Sequence, residues 1–594
     1  MTDLRAGALR RGASAPGCVA LLSLVLGACG GGSSADDAKT APGTSDGFSA
    51  ALPSDGQKRG GALKLLGSEG FFHLDPGASY FQLDYMISYA THRSLYYFRP
   101  QDPRRAVPDL ADGEPVVSAD NTTVTVKIKP GIRYGTNETS AITGTEVTSA
   151  DVKYAFERAL NPSVANGYVQ LYFPLVGAEQ AKGGPISGIT TPDDRTVVFK
   201  LTKPFAATTA RALVMPITIP VPKSYAATFD AKSPNVYDAQ PERQAFTGPY
   251  MIDSYDAGKS ISLVRNPEWD GATDDRPAYL DRIEWTLNTD PAVAGRQIFG
   301  GTGLANGDTP TASTIKRFAT RAKDRITFTP LGNRYVALNT QKKPFSDLDA
   351  RKAFAAALDR RAMQLARGGT FAGDIATHFL PPTISGFDEA GGVAGPGADY
   401  LAKPGGDPAL AASYMRKAGF ASGKADGDKI LMFGISDSPA KETAQITSDA
   451  LESLGFDVTL RLLDQSAVQT KFCGVEAQLR KIDVCANAGW LPDFTDPYAM
   501  LYANFNGASI VSTNNNNLSL FDDPAVNTAM DDAALVSDVE QRADDWGEID
   551  RALVEKVAGI PFLFDNVSNV VSKDVQGVIA QWNASWDLAY MSLK

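Results

Sequence analysis

The chain has 594 residues, a formal net charge of −11 at neutral pH, 43% hydrophobic residues and 21% charged residues. That length allows several domains with ordinary cores, and the acidic balance without a basic run argues against nucleic acid as a partner. Three histidines and four cysteines leave little material for imidazole catalysis or a metal centre, and neither a metal nor a cofactor is expected.

Residues 1–28 read as a signal peptide. Arg5, Arg10 and Arg11 precede the apolar run from Val19 to Leu26, which is too short to span a bilayer. Leu26-Gly27-Ala28-Cys29 resembles a bacterial lipobox, so Cys29 is the expected lipidation site, although a plain secretory signal with a chance cysteine has the same shape. Residues 29–58, rich in Gly, Ser, Ala, Asp and Thr, cannot bury a core and read as a flexible tether. The protein is expected outside the cytoplasm, lipid-anchored to the cell membrane, and in the periplasm if an outer membrane is present. In that compartment the two remaining cysteines, Cys473 and Cys485, suggest a disulfide.

The body begins with a strand at Gly60 to Leu66 and a turn at Leu74-Asp75-Pro76. Alternation predicts a half-buried strand over Thr122 to Lys129. A capping box at Thr148 to Asp151 opens a helix that stops at Asn161-Pro162. Arg195 to Leu201 is a strand. Phe246 to Tyr250 opens a hairpin whose return strand is Ser260 to Val264, and Asp281 to Leu287 continues that sheet. A strand over Tyr335 to Leu338 runs into Asn339-Thr340. One helix is expected from Ser346 to Asp349 onward, with Phe354, Leu358 and Met363 on one face. From Asp407 the pattern is α/β: a helix capped by Asp407-Pro408 and ended at Gly419, a strand Lys429 to Gly434, a helix from Ser438-Pro439 to Gly455, and a strand Val458 to Leu463. Asn514 to Asn517 reads as a polar loop, Asp544 to Val557 as a late helix, Ile560-Pro561 as the lead into an apolar strand, and Trp582 to Tyr590 as the closing segment.

One stretch stands out. The run from Ile482 to Ala488 reads as a buried strand leading into Gly489-Trp490-Leu491-Pro492-Asp493-Phe494-Thr495-Asp496-Pro497. The prolines stop further pairing. A strand that leaves a core and ends in carboxylates beside aromatics suits a cationic group. The same residues are also ordinary turn formers.

Taken together these segments resemble the peptide/nickel class (family 5) of extracytoplasmic solute-binding proteins, the oligopeptide- and dipeptide-binding components of ABC importers. The likeness covers roughly residues 60–594. It rests on Leu74-Asp75-Pro76, Val107 to Ala111, Thr148 to Arg158, Thr247-Gly248-Pro249-Tyr250, Arg265-Asn266-Pro267, Leu338-Asn339-Thr340 with Pro344-Phe345 and Arg351 to Asp359, and Trp490 to Pro497, in that order. The resemblance implies an α/β, two-lobed, periplasmic-binding-protein-like fold (type II, Venus-flytrap) with an extra domain inserted in the first lobe. Lobe I would comprise 59–94, 214–330 and 566–594, the extra domain 95–213, and lobe II 331–565. It further implies a peptide ligand, ABC permease subunits as partners, and a monomer that captures and delivers without chemistry. Asp493 would take the ligand's α-amine, Gly489 and Leu491 would pair with the peptide as an added strand, and Trp490 would point the other way. Ser79, Tyr80 and Phe81 lie where the first lobe would touch the ligand.

Rival readings remain at this point. A secreted hydrolase has only His73, His92 and His378 to draw on, and Gly434 to Ser438 lacks the last glycine of a nucleophile elbow. Binding of a non-peptide solute such as an oligosaccharide is compatible with the same fold, and tryptophans lining the cleft would favour it.

Overall fold

Alternating patterns build the sheets, and long apolar runs build the strands buried on both faces. The computed structural model describes residues 51, 56–68, 70–79, 81–99, 102–138, 140–164, 166, 172–231, 236–581, 583 and 586–594. Cys18, Cys29 and Tyr80 lie outside these residues, as do Trp582, Ala584 and Ser585 of the closing segment. In chain order the strands begin with Ala62–Leu66 (β1), Tyr96–Arg99 (β2), Asp102–Pro108 (β3), Val116–Val117 (β4), Thr123–Lys127 (β5) and Ile189–Asp193 (β6). Thr196–Lys200 (β7), Tyr250–Asp256 (β8), Ser260–Arg265 (β9), Arg282–Thr286 (β10), Leu304–Asn306 (β11) and Ile326–Leu338 (β12) follow. The last are Lys429–Ile435 (β13), Asp457–Leu463 (β14), Val484–Trp490 (β15), Ile560–Val570 (β16), Val575–Gln576 (β17) and Ser592–Leu593 (β18).

Three sheets organise the molecule, with orders β11-β1-β10-β9-β8, β4-β5-β7-β6 and β14-β13-β15-β12-β16. The first and third mix parallel and antiparallel pairs: β1 runs parallel to β10 and β11, and β13 parallel to β14 and β15. In the small sheet, Val124 faces Phe199 and Val126 faces Val197, all four buried. Burying each such side chain contributes about 1.5–3 kcal/mol, enough for this face to set the register. The strands β12 and β16 pair over nearly their whole length, with a register shift between Pro330 and Gly332.

The helix Ser149–Ala159 starts as expected. Thr148 N donates to Asp151 Oδ2 at 2.9 Å in a capping box. Its last turn carries Arg158, fully buried. That guanidinium donates to both oxygens of Asp75 (2.6 and 2.7 Å) and both of Asp230 (3.0 and 2.7 Å). The Leu74-Asp75-Pro76 turn and the Thr148–Arg158 segment are therefore two halves of one buried ion cluster. A second cluster holds Asp109: Arg93 Nε donates to it at 2.6 Å, and Arg276 bridges to Asp274 at 2.7 Å. Gly248 packs so close to Thr91 and His92 that a Cβ would lie 2.6 Å from their backbone atoms.

Several expectations need correction. The single helix after Ser346 is two helices, Leu348–Ala357 and Arg360–Arg367. Leu358 between them is extended, and the Asp359 carboxylate accepts from Ala362 N at 2.8 Å, capping a fresh helix start. Phe354, Leu358 and Met363 are all buried, but not on one helical face. The late helix starts earlier, at Val539, because Asp538 caps it through Gln541 N (2.9 Å). The asparagine run is a polar loop as expected, with Asn514 and Asn516 exposed, but Asn515 and Asn517 are buried, and Asn517 Oδ1 accepts from Phe521 N at 2.9 Å while its amide donates to Phe521 O at 2.8 Å. An amide that supplies both a donor and an acceptor can replace strand pairing inside a core. Among the described residues no helix is long and apolar enough to cross a membrane.

Candidate functional site

β15 carries the chain out of the core of the third sheet. Val484, Cys485 and Ala486 are buried, whereas Asn487, Gly489 and Trp490 are half-buried. β13 pairs with it only at Val484 and Cys485. Asn487 then covers the end of β13, accepting from Ile435 N at 2.8 Å and donating to Ala440 O at 2.9 Å. On its other side β15 stays paired with β12 as far as Asn333 opposite Trp490. Beyond Asn487 the β13-facing edge of β15 has no strand partner among the described residues, and such an edge can accept an extended chain. Cys473 and Cys485 are joined by a disulfide (S–S 2.07 Å), which ties the base of this strand to the preceding segment.

Trp490 turns to the core side. Its backbone N donates to Asn333 Oδ1 at 3.2 Å and its indole Nε1 to Ala499 O at 2.7 Å, which fixes the turn to the helix Pro497–Phe505. Gly489 and Leu491 lie on the opposite side, against Arg334 and Gly332: a Cβ on Gly489 would meet Arg334 Cδ at 2.8 Å, and one on Gly332 would meet Leu491 Cδ2 at 2.8 Å.

The two carboxylates of the turn have different surroundings. Asp496 caps the helix Pro497–Phe505 through Tyr498 N (2.9 Å), receives Arg542 at 2.9 and 2.6 Å, and lies 3.2 Å from Arg211 Nε. Burial pushes its pKa up, but the two guanidiniums outweigh burial and hold it below the usual carboxylate value. Asp493 is 7% exposed and forms no ion pair among the described residues. The Tyr172 hydroxyl donates to its Oδ2. Burial raises the Asp493 pKa to about 7, and the tyrosine offsets only part of that rise. Phe494, fully buried, meets the Tyr172 ring edge-on at 4.9 Å between centroids.

The expected first-lobe contacts fare differently. Ser79 is fully buried, and its hydroxyl donates to Asp75 O at 2.9 Å, closing the Asp75 turn. Phe81 is 39% exposed and packs on Phe72, itself 63% exposed, at 4.1 Å between centroids. Tyr172, Arg211, Arg334 and Arg542 were not anticipated. Only Arg542 left a local trace: it shares the apolar helical face of Trp546, Ile549 and Leu553, where a lone arginine demands a buried anion.

This architecture is that of two-lobed extracytoplasmic binding proteins. The description "Bacterial extracellular solute-binding proteins, family 5 Middle" matches residues 105–511, and the chain belongs to that family, whose members bind substrates and are not enzymes. The dipeptide-binding protein of Pseudomonas aeruginosa is 24% identical over 482 residues, covering 80% of this chain and 84% of that protein. The oligopeptide-binding protein OppA of Bacillus subtilis is 24% identical over 498 residues, covering 79% and 83%. The solved structure of the clavulanic acid biosynthesis oligopeptide binding protein 2 is 26% identical with a TM-score of 0.81, covering 92% of this chain and 98% of the other. DppA from Helicobacter pylori in complex with peptide STSA shares the fold at 20% identity and a TM-score of 0.71, covering 90% and 98%.

Proposed function

We propose that this chain is the substrate-binding lipoprotein of an ABC importer, that it captures peptides between its lobes, and that it delivers them to a membrane permease. The observation that carries the reading is Asp493: a buried carboxylate with no cation among the described residues, at the end of a strand whose outer edge has no described strand partner. A peptide's α-amine supplies the missing cation, and its backbone supplies the missing strand along Gly489 and Leu491. Trp490 and Phe494 give the pair dry surroundings, which strengthen the attraction. The names of the relatives, dipeptide- and oligopeptide-binding, support the same ligand class.

In this reading Cys29 anchors the mature protein through a lipid, and 29–58 is its tether. Lobe I comprises 59–94, 214–330 and 566–594, the extra domain 95–213, and lobe II 331–565. The paired strands β12 and β16 run through both the 330/331 and 565/566 boundaries, and their register shift between Pro330 and Gly332 supports a crossing there. Phe81 is a candidate contact from the first lobe. A sugar ligand finds less support: Trp285, Trp546 and Trp586 are buried, Trp490 and Trp269 half-buried, and both of the latter use their indole N–H internally.

The test is mass spectrometry of whatever co-purifies with the protein after gentle extraction. Peptides with free amino termini are expected; an oligosaccharide in their place would overturn the reading. Cys29→Ser should release the protein from the membrane, and unchanged retention and processing would remove the lipid anchor from the account.

A further inference from the structure

Arg93, Arg158, Arg360 and Arg542 are all fully buried. Three of them meet a carboxylate: Arg93 pairs with Asp109, Arg158 with Asp75 and Arg542 with Asp496, each at 2.6 Å. Arg360, the first residue of the helix Arg360–Arg367, pairs with no carboxylate among the described residues. Its Nη1 donates to Ala376 O at 2.7 Å and its Nη2 to Leu401 O, while its Nε is buried without a partner. Two carbonyls solvate a guanidinium in part but do not cancel its charge. Burial lowers the Arg360 pKa to about 10, so the group stays charged near neutral pH. Arg360 lines a cavity of about 330 Å³, and it is the one charged residue to do so. Ile375, Val393, Pro396 and Leu401 give the cavity apolar walls. Thr377 adds a hydroxyl whose bonds to Gly392 O and Val393 O are long, 3.5 and 3.4 Å. Val393 is 47% exposed, so this wall reaches the surface. None of Gly489, Trp490, Leu491, Asp493 and Tyr172 lines the cavity.

We propose that this cavity is a second ligand site, separate from the peptide site, and that it takes a small organic anion: one carboxylate on a compact apolar body. A guanidinium has five N–H donors, and the two carbonyls use only part of that set. The Arg360 Nε–H and a remaining terminal N–H form the fork that matches a carboxylate through two parallel hydrogen bonds. The Thr377 hydroxyl is placed to donate a third. A cavity of this size with apolar walls and a few polar groups is the ordinary form of a small-ligand site. The charge count narrows the class. Arg360 balances one negative charge, and a phosphate or dicarboxylate would bring a second into apolar surroundings without a partner. An uncharged ligand would leave the guanidinium as it is. Binding would tie the start of the helix Arg360–Arg367 to the segment 393–401, and so raise the melting temperature by mass action. Nothing in this site depends on what the strand end at Asp493 binds.

The test is a fluorine NMR titration of the wild-type protein with para-fluorobenzoate, para-fluorobenzamide and para-fluorophenyl phosphate. The benzoate should bind saturably. The amide should bind about ten- to hundredfold more weakly, the scale of a charge-assisted pair, and the phosphate no better than the amide. A nitroxide attached at Val393→Cys, on the exposed wall, should broaden the signal of bound benzoate and so place it in this cavity. In Arg360→Gln the acid and the amide should bind alike, and Arg360→Lys should restore part of the preference. Equal binding of acid and amide to the wild type, no saturable binding of the benzoate, or tighter binding of the phosphate would overturn the proposal. So would a benzoate signal untouched by the nitroxide, which would place the ligand elsewhere. The wild-type titration and the nitroxide decide the matter even if Arg360→Gln fails to fold.

Discussion

Asp493 and Asp496 are three residues apart in one turn, and both are buried. Asp496 faces two arginines brought from far along the chain, Arg211 and Arg542, and its charge is neutralised inside the protein. Asp493 accepts from the Tyr172 hydroxyl, whose ring packs edge-on against Phe494, and no cation among the described residues balances its charge. Burying a carboxylate costs several kcal/mol unless a partner offsets it. The first carboxylate is architecture. The second carries a cost that no described cation offsets, and in the proposed reading that difference, rather than the aspartate itself, marks the position of the ligand's amine.

Breaking the balanced carboxylate should have the largest effect on stability. Asp496→Asn leaves Arg211 and Arg542 with no ion-pair partner among the described residues, and removing one partner of a buried pair costs about 3–5 kcal/mol. Urea unfolding near neutral pH should show a loss of that order. Because the Asp496 pKa is held below the usual value, its contribution is present above the ordinary carboxylate range and fades as the pH falls below it.

The same substitution at the unbalanced carboxylate should act in the opposite direction in the ligand-free protein. The Asp493 pKa rises from 3.8 to about 7 on folding. Between those values the folded state keeps a proton that the unfolded state has lost, so stability falls as the pH rises through this window. Above it the full cost of the buried charge remains. Asp493→Asn should therefore stabilise the free protein by on the order of a few kcal/mol at about pH 8 and hardly at all at about pH 4. Thermal melts at the two pH values check this, and destabilisation at the higher pH would show that the carboxylate has a partner within the chain.

A smaller effect sharpens the contrast. Tyr172→Phe removes the one hydrogen bond from a described residue that favours ionised Asp493, which should raise the carboxylate's pKa further and weaken peptide binding by about 1–2 kcal/mol near neutral pH. Calorimetry of peptide binding against pH would reveal the shift. An unchanged profile would remove Tyr172 from the site.

Much of the scaffold was legible because its signals are local. Asp407 caps a helix at Pro408, Thr148 and Asp151 form a capping box, and β5 and β7 alternate as written. β12 was half missed because Pro330 and Gly332 look like breakers, yet they sit at a bulge in a strand buried on both faces. The late helix lost its first turn because Asp538, not a later residue, caps it. At the site, the open strand and its terminal carboxylates could be read, but their partners could not. Tyr172 lies 321 positions from Asp493, and Arg542 lies 46 from Asp496. No local pattern tells a balanced carboxylate from an unbalanced one. What Ser79 bonds to was hidden for a related reason: its neighbours in space, Asp75 and Ser88, engage its hydroxyl.

The central claim is that Asp493 is reserved for a ligand's amine. It is tested most directly by calorimetry of one short peptide, free and N-acetylated, on the wild type and on Asp493→Asn. The account predicts that acetylation weakens wild-type binding by roughly two to three orders of magnitude, the scale of one buried charged pair, and that Asp493→Asn loses affinity for the free peptide to a similar extent. Equal binding of the free and acetylated peptides to the wild type would contradict it.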